Sequence, residues 1–223
     1  RHDVRLEIVS RDAMTPVCRH AMWLATEFAL QSEGLPVPER QKILSSVGLP
    51  LETIMQRHVP NADSAAIERM LDVYKRESLR LAQQDDRGQI MFPGMFETIA
   101  WLGGMDAVVM GIVTMKSHRG LNRVVDAYGI RDHFQVLKSA DDGPGKPAPD
   151  LLLDCMSTVG VDPQKTVMVG DTSFDMMMAR AAGAYTIGVA WGYQTVEELE
   201  ESGAQEIVRT PEELNRSLNV FIS

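Results

Sequence analysis

Short apolar runs recur along the second half of the chain, and polar stretches with helical spacing separate them. The runs are AVVMGIV (107–113), FQVL (134–137), TVMVG (166–170) and YTIGVA (185–190). Runs of this length, rich in β-branched residues, are typical of strands buried on both faces. Helical patterns lie between them at roughly 117–128, 148–160 and 173–183. This alternation predicts an α/β fold with a doubly wound parallel sheet, because crossovers between parallel strands are usually helices.

A further run of the same type, VRLEIV (4–9), stands near the start of the chain, far from the next clear strand. The segment between them has helical periodicity, and breaks at EGLPVPE, GLP and HVPN divide it into about four helices. We therefore predict an α/β core of residues 1–17 and 89–223. The helical residues 18–88 form an insert, and a bundle of this kind over the mouth of the core would act as a cap.

The last helix of the insert has the clearest pattern. Asp63 is a predicted N-cap residue, since its side chain can accept a hydrogen bond from a free backbone N–H of the first turn. The apolar residues that follow share one helical face: Ile67, Met70, Leu71, Tyr74 and Leu81. This spacing predicts an amphipathic helix with that face buried.

Charge and composition restrict the classes of partner. The formal net charge is −9 and the isoelectric point is near 5.0, whereas nucleic acids and anionic membranes require basic surfaces. We therefore expect a small-molecule ligand, no nucleic-acid or membrane partner, and a monomer or homodimer.

The two cysteines, Cys18 and Cys155, are too far apart for a metal-binding motif and are interpreted as reduced thiols, which favours a cytoplasmic location. The five histidines are interpreted as surface or locally bonded residues, with His118 left open.

The most informative stretch is VMVGDTSFDMMMARAAG (167–183), in which a predicted strand is followed by Asp171 and Asp175 and then by a helix. Ligands of doubly wound sheets lie at the carboxyl ends of the strands, so both carboxylates would enter that crevice. Carboxylate oxygens there suit Mg²⁺. Helix capping by Asp171 or Ser173 is the structural alternative.

Two other predicted strand ends carry polar side chains. GIVTMKSHRG (111–120) places Thr114 at the end of a strand and Ser117 at the start of a helix, where a hydroxyl and free N–H groups can bind an anion. SADDGPGKPAPD (139–150) places Lys146 in a loop before a helix predicted to open at Pro147, and its ammonium group can balance phosphate charge. Taken singly, each has an ordinary explanation: a helix cap for Ser117 and a solvated surface cation for Lys146.

The order of these residues, together with GKPAPD, VGDTSFDM and VAWGY (189–193), resembles the haloacid dehalogenase superfamily. The resemblance is to its phosphoglycolate phosphatase-like branch, in which a helical cap is inserted after the first strand of a Rossmann-like core. It implies a Mg²⁺-dependent phosphatase acting on a small phosphorylated metabolite. It also implies metal ligation by Asp171, Asp175 and Asp12, and substrate binding by Thr114, Met115 and Lys146. Of these, Thr114 and Lys146 are also expected to be catalytic. Phosphomutase or dehalogenase activity is a weaker alternative, because the core motifs do not choose among reactions.

The first motif departs from the family pattern. In the family this strand ends in Asp-x-Asp-Gly-Thr, whose first aspartate attacks phosphorus and whose second is the general acid and base. Here Ser10 stands at the nucleophile position and Asp12 at the acid/base position, and Ala13 and Met14 replace the glycine and threonine. A serine hydroxyl with no assigned base does not replace an ionised carboxylate, so we expect impaired turnover.

Two explanations of this departure remain open. The chain is either a weakened enzyme or a catalytically inactive pseudophosphatase that binds phosphorylated ligands. A change in the coding sequence is a separate possibility. Codons for Asp-Gly-Thr-Leu read one base out of register give Ala-Met-Ala-Pro, which resembles Ala13-Met14-Thr15-Pro16.

Overall fold

The computed structural model describes residues 4–10, 14, 19–84 and 91–223. The candidate residue Asp12, Cys18 and both predicted ends of the helical insert lie outside the described residues. Within these ranges the strands are β1 (Arg5–Ser10), β2 (Val108–Val113), β3 (Val136–Lys138), β4 (Thr166–Gly170), β5 (Tyr185–Val189) and β6 (Glu206–Val208). The helices are α1 (Arg19–Ser32), α2 (Arg40–Leu44), α3 (Leu51–His58), α4 (Ser64–Gln84), α5 (Met95–Gly103), α6 (His118–Ala127), α7 (Asp150–Val159), α8 (Ser173–Ala182), α9 (Val196–Glu201) and α10 (Pro211–Ile222).

The described strands form one parallel sheet in the order β3-β2-β1-β4-β5-β6. The chain moves outward from β1 through β2 to β3, and then returns to the other side of β1 with β4. Ser10 at the end of β1 is in register with Val113 at the end of β2. The strand order therefore reverses around β1, and ligands of open α/β sheets bind at such a reversal, beyond the carboxyl ends of the strands.

Both faces of the sheet are covered, as the continuous apolar runs predict. Successive strand residues alternate between the faces, so Val9 packs with α5, α6 and α10, whereas Ile8 packs with α7 and α8. The helices α1 to α4 contain a separate apolar cluster around Leu30, Met55 and Met70. These four helices therefore have an apolar core of their own. Of the helices in the described ranges, none combines the length and hydropathy needed to cross a bilayer.

The predicted start of α4 is confirmed, because Asp63 Oδ1 accepts a hydrogen bond of 2.7 Å from the Ala66 backbone N–H. The predicted start of α7 at Pro147 is wrong, since that helix begins at Asp150. Pro149 disfavours the helical conformation of the residue before it, which is Ala148. The short edge strand β6 and the helices α5 and α10 were not predicted. β6 has three residues and lacks the long apolar run that marks the other strands.

Cys155 is buried and free, in agreement with the interpretation of reduced thiols. Its burial raises the pKa of the thiol to about 12, and the nearby Lys138 opposes this only weakly. The thiol is therefore a neutral packing group at ordinary pH.

Glu7 is the unusual residue of the central strand. It is fully buried between Met110 of β2 and Val167 of β4, and its carboxyl oxygens have no hydrogen-bond partner among the described residues. Loss of hydration raises the pKa of this carboxyl to about 8, and the charge of Arg5 lowers it by less. The folded protein therefore holds a neutral carboxylic acid in its sheet at neutral pH.

We expect Glu7→Gln to remove a pH dependence of stability. Between pH 4.5 and 8 the folded chain keeps a proton that the unfolded chain releases, so the free energy of unfolding falls as pH rises. The slope is at most about 1.4 kcal/mol per pH unit. Urea unfolding at several pH values in this window should show a decline for the original chain and a flatter profile for the variant. Glu68→Gln, an exposed site on α4, is the control, and equal slopes for all three proteins would contradict the assignment.

Candidate active site

Polar side chains from four strand ends are buried at the carboxyl edge of the sheet. Ser10 ends β1, Thr114 follows β2, Lys146 lies in the loop between β3 and α7, and Asp171 follows β4; each is at most 3% exposed. Asp175 in the first turn of α8 is fully buried as well. Buried polar groups are costly unless they are paired, so these residues are the candidates for a functional site.

Lys146 is the centre of this cluster. Its Nζ donates hydrogen bonds to Asp175 Oδ1 at 2.6 Å, to the Val113 carbonyl oxygen at 3.0 Å and to Ser10 Oγ at 3.3 Å. An ammonium group has three donors and no acceptor, so these bonds account for its capacity. The lysine thereby ties β1, β2 and α8 together, and the solvated surface position considered from the sequence is wrong.

Asp175 is held from both sides. Its Oδ2 accepts from the backbone N–H and the hydroxyl of Thr172, at 3.1 and 2.7 Å, while Oδ1 accepts from Lys146. Thr172 is the N-cap residue of α8 and completes a capping box with Asp175. The cap is therefore formed by Thr172, and not by Asp171 or Ser173 as the sequence alternative had it. Both carboxylate oxygens of Asp175 already have protein donors in this arrangement.

Asp171 is oriented by a different part of the chain. Its Oδ2 accepts from the Tyr193 backbone N–H at 3.0 Å, and its carbonyl oxygen accepts from the Gln194 backbone N–H at 3.3 Å. Gly192 lies against the carboxylate, and a Cβ atom added there would be 2.6 Å from Asp171 Oδ2. The turn after β5 therefore packs directly on the carboxylate that follows β4.

Thr114 and Met115 begin the turn after β2. Thr114 N–H donates to the Lys138 carbonyl oxygen at 3.0 Å, and its hydroxyl accepts from Lys116 N–H at 3.3 Å. Met115 lies against the lysine loop, since a Cβ atom added at Gly145 would be 2.6 Å from Met115 Sδ. Thr114 is thus placed beside Val113, whose carbonyl binds Lys146. The turn continues into α6, where Ser117 is the N-cap residue.

The side chain of Ser117 accepts a hydrogen bond from Gly120 N–H, so its interpretation as a helix cap is confirmed. His118 is locally bonded: its Nε2 lies 2.9 Å from Asp142 Oδ2. Burial raises the pKa of Asp142, but hydrogen bonds from Ser139 and His118 outweigh it and leave that pKa below its usual value. Neither residue enters the cluster around Lys146.

The helical insert lies close above these residues. A Cβ atom added at Gly48, between α2 and α3, would be 2.9 Å from Thr172 Oγ1 and 3.0 Å from the Phe174 ring. Tyr193 Oη lies 3.8 Å from Met22 Sδ of α1. Two loops of the core that carry site residues are therefore in contact with the insert.

Comparisons with known proteins show the family of this chain. The model of the haloacid dehalogenase-like hydrolases matches residues 19–189. The chain belongs to this hydrolase family. "Probable phosphatase IndB" of Dickeya dadantii is 32% identical over 188 residues, which cover 82% of this chain and 79% of the relative. "Phosphoglycolate phosphatase" of Nitrosococcus oceani is 29% identical over 199 residues, 87% of each chain. A hydrolase from Pseudomonas syringae has the same fold, with a TM-score of 0.84 and 23% identity over 98% of this chain and all of its own.

The described side chains show which residues could bind a metal ion in this hydrolase. Among the residues that the structure describes, no three His, Cys, Asp or Glu side chains are grouped to bind a metal. Mg²⁺ commonly takes one or two carboxylates and completes its shell with water and phosphate. The buried carboxylate of Asp171, which Tyr193 N–H orients, fits such a ligand.

Sequence reasoning missed several residues that shape the site. Thr172, Gly192 and Gln194 carried no assigned role, although VAWGY formed part of the family resemblance. Glycine after an apolar run was the available signal, because it often marks a place where another group approaches the backbone closely.

Replacing Lys146 should test the buried ion pair. Lys146→Ala leaves the Asp175 carboxylate buried without its cation, and we expect unfolding to become easier by about 3–5 kcal/mol. Lys138→Ala is the matched control, because its partner Asp154 is half-exposed and lies 2.5 Å away. Such a pair contributes less than about 1 kcal/mol. Urea unfolding measures both, and equal losses would show that the buried pair is not a main support of the site.

Proposed function

We propose that this hydrolase carries a Mg²⁺-dependent phosphatase site for a small phosphomonoester, with turnover impaired because Ser10 occupies the nucleophile position. The observation that supports this proposal is the triple contact of Lys146 Nζ with Ser10, Val113 and Asp175. It places a buried cation beside the residue at the nucleophile position. A phosphoryl group bound there would meet positive charge in a site shielded from water.

The roles of the other site residues are proposed from their places at the strand ends and, for Asp12, from the family resemblance. Thr114 and Met115 lie on the neighbouring strand end and, with Lys146, are the proposed contacts to the phosphorylated substrate. Asp171 is the proposed carboxylate ligand of Mg²⁺, with Asp12 as a second. When bound, the ion would neutralise charge on the phosphoryl oxygens. Asp175, expected from the sequence as another ligand, acts in this proposal by holding Lys146.

Ser10 is a weak nucleophile in this setting. The hydrogen-bond partner of its Oγ in the described part of the chain is Lys146, whose ammonium donates a proton and has no lone pair to accept one. A hydroxyl attacks efficiently only when a base removes its proton. Phosphate binding would therefore be retained in this site while covalent transfer is slow.

The same observation favours a second candidate function, a pseudophosphatase that binds phosphorylated ligands without turnover. Calorimetry with Mg²⁺ and 2-phosphoglycolate, chosen because curated relatives are named phosphoglycolate phosphatase, would measure binding. Turnover by the unsubstituted chain would exclude this candidate. The cytoplasmic location, the gating role of the insert and the monomeric or homodimeric state stay predictions.

Ser10→Asp should restore phosphate release. The variant supplies the missing carboxylate, and we expect Mg²⁺-dependent hydrolysis of at least one small phosphomonoester to rise on the order of 10³-fold or more. Phosphate release across a panel of phosphorylated metabolites measures this. Ser10→Asn, which has nearly the shape of aspartate but no charge, is the matched control and should stay at the level of the original chain. Equal rates for the Asp and Asn variants would argue against a phosphatase site of this design.

A further inference from the structure

Each of the three residues in the segment 192–194 contacts Asp171. Tyr193 N–H donates to the carboxylate, and Gln194 N–H donates to the backbone carbonyl of the same residue. Gly192 leaves room for the Asp171 side chain, since an added Cβ atom would lie 2.1 Å from Asp171 Cβ and 2.7 Å from its Cγ. The turn thus contacts both the main chain and the side chain of Asp171.

Gln194 fixes the turn to the next element of the site. Its side-chain Oε1 accepts a hydrogen bond from Ser173 N–H, the first residue of α8. The bond joins the turn after β5 to the N-terminus of α8, the helix that carries Asp175. Asp171 therefore lies in a closed loop of contacts that runs from the turn 192–194 to Ser173.

We propose that Gly192 and Gln194 are positioning residues that hold the carboxylate of Asp171 in the orientation needed to bind a divalent cation. Gly192 acts by leaving room for the carboxylate. Gln194 acts by tethering the turn whose Tyr193 N–H bonds to Asp171 Oδ2. The inference rests on the proposed function, because it takes Asp171 as the metal ligand.

The size of the effect follows from how a ligand is held. Groups that orient a metal ligand, without touching the metal, typically change metal affinity by about 10- to 100-fold when they are replaced. When Gly192 or Gln194 is replaced, the Asp171 carboxylate would rotate or the turn 192–194 would shift. The free energy needed to return the carboxylate to its binding orientation would weaken cation binding.

The test measures binding of Mn²⁺ alone to the full chain, by the electron paramagnetic resonance signal of the free ion. Gln194→Met keeps the length of the side chain and removes the acceptor for Ser173 N–H, so we expect binding to weaken about tenfold. Gln194→Glu retains an acceptor oxygen and should bind within about threefold of the original chain or more tightly. The two variants differ in whether residue 194 can accept from Ser173 N–H, so a difference between them reports that hydrogen bond.

Gly192→Ala should weaken binding by a similar factor, on the order of tenfold. Gly104→Ala is its control, because an added Cβ atom there meets its nearest neighbour at 3.5 Å, far from Asp171. Tyr193 is left unchanged because its hydroxyl contacts Met22 of the insert. Thermal unfolding of each variant establishes that it is folded.

Asp171→Asn distinguishes failure of the positioning role from failure of the proposed metal site. If it abolishes Mn²⁺ binding while Gln194→Met and Gly192→Ala bind normally, the positioning role is overturned and the proposed metal site stands. If Asp171→Asn binds normally, or the original chain binds no Mn²⁺, the metal site fails and the positioning role with it. Loss in Asp171→Asn, weakening in the 192 and 194 variants, and rescue by Gln194→Glu would together support the proposal.

Discussion

The buried ion pair between Lys146 and Asp175 is the interaction on which this structure depends at its functional edge. Two charges removed from water are stabilising only when other polar groups satisfy them. Lys146 also donates to Val113 and Ser10, and Asp175 also accepts from Thr172 at two positions. The pair thereby joins the ends of β1 and β2 to the start of α8. Its burial is tolerated because these three elements supply all of the hydrogen-bond partners.

The two aspartates after β4 have different surroundings although they are four residues apart. Asp175 is held by a cation and a capping hydroxyl, so its charge is compensated within the protein. The Asp171 carboxylate accepts from the Tyr193 N–H, and the Asp171 backbone carbonyl accepts from the Gln194 N–H. The proposed function therefore assigns metal binding to Asp171, whose carboxylate the turn 192–194 orients, and support of the lysine to Asp175.

Ser10 is hydrogen-bonded to the buried lysine in this setting. Its hydroxyl accepts from Lys146 Nζ, so the lysine remains fully hydrogen-bonded where the family places a carboxylate. The proposed impairment of turnover therefore comes from the chemistry of the hydroxyl. The chain belongs to the hydrolase family, and the proposed consequence of Ser10 concerns the step that needs an ionised nucleophile.

The sequence by itself determined the parallel α/β fold, the presence of helices between the first two strands and the order of Ser10, Thr114, Lys146 and the two aspartates, because these depend on local periodicity and on motifs within single segments. It did not reveal the edge strand β6, which has three residues, or the late start of α7. Tertiary structure alone decided which carboxylate pairs with Lys146 and which is held by the turn after β5. These choices bring together groups far apart in the chain, as Gln194 and Ser173 are, and their distances depend on strand order and register rather than on any local pattern.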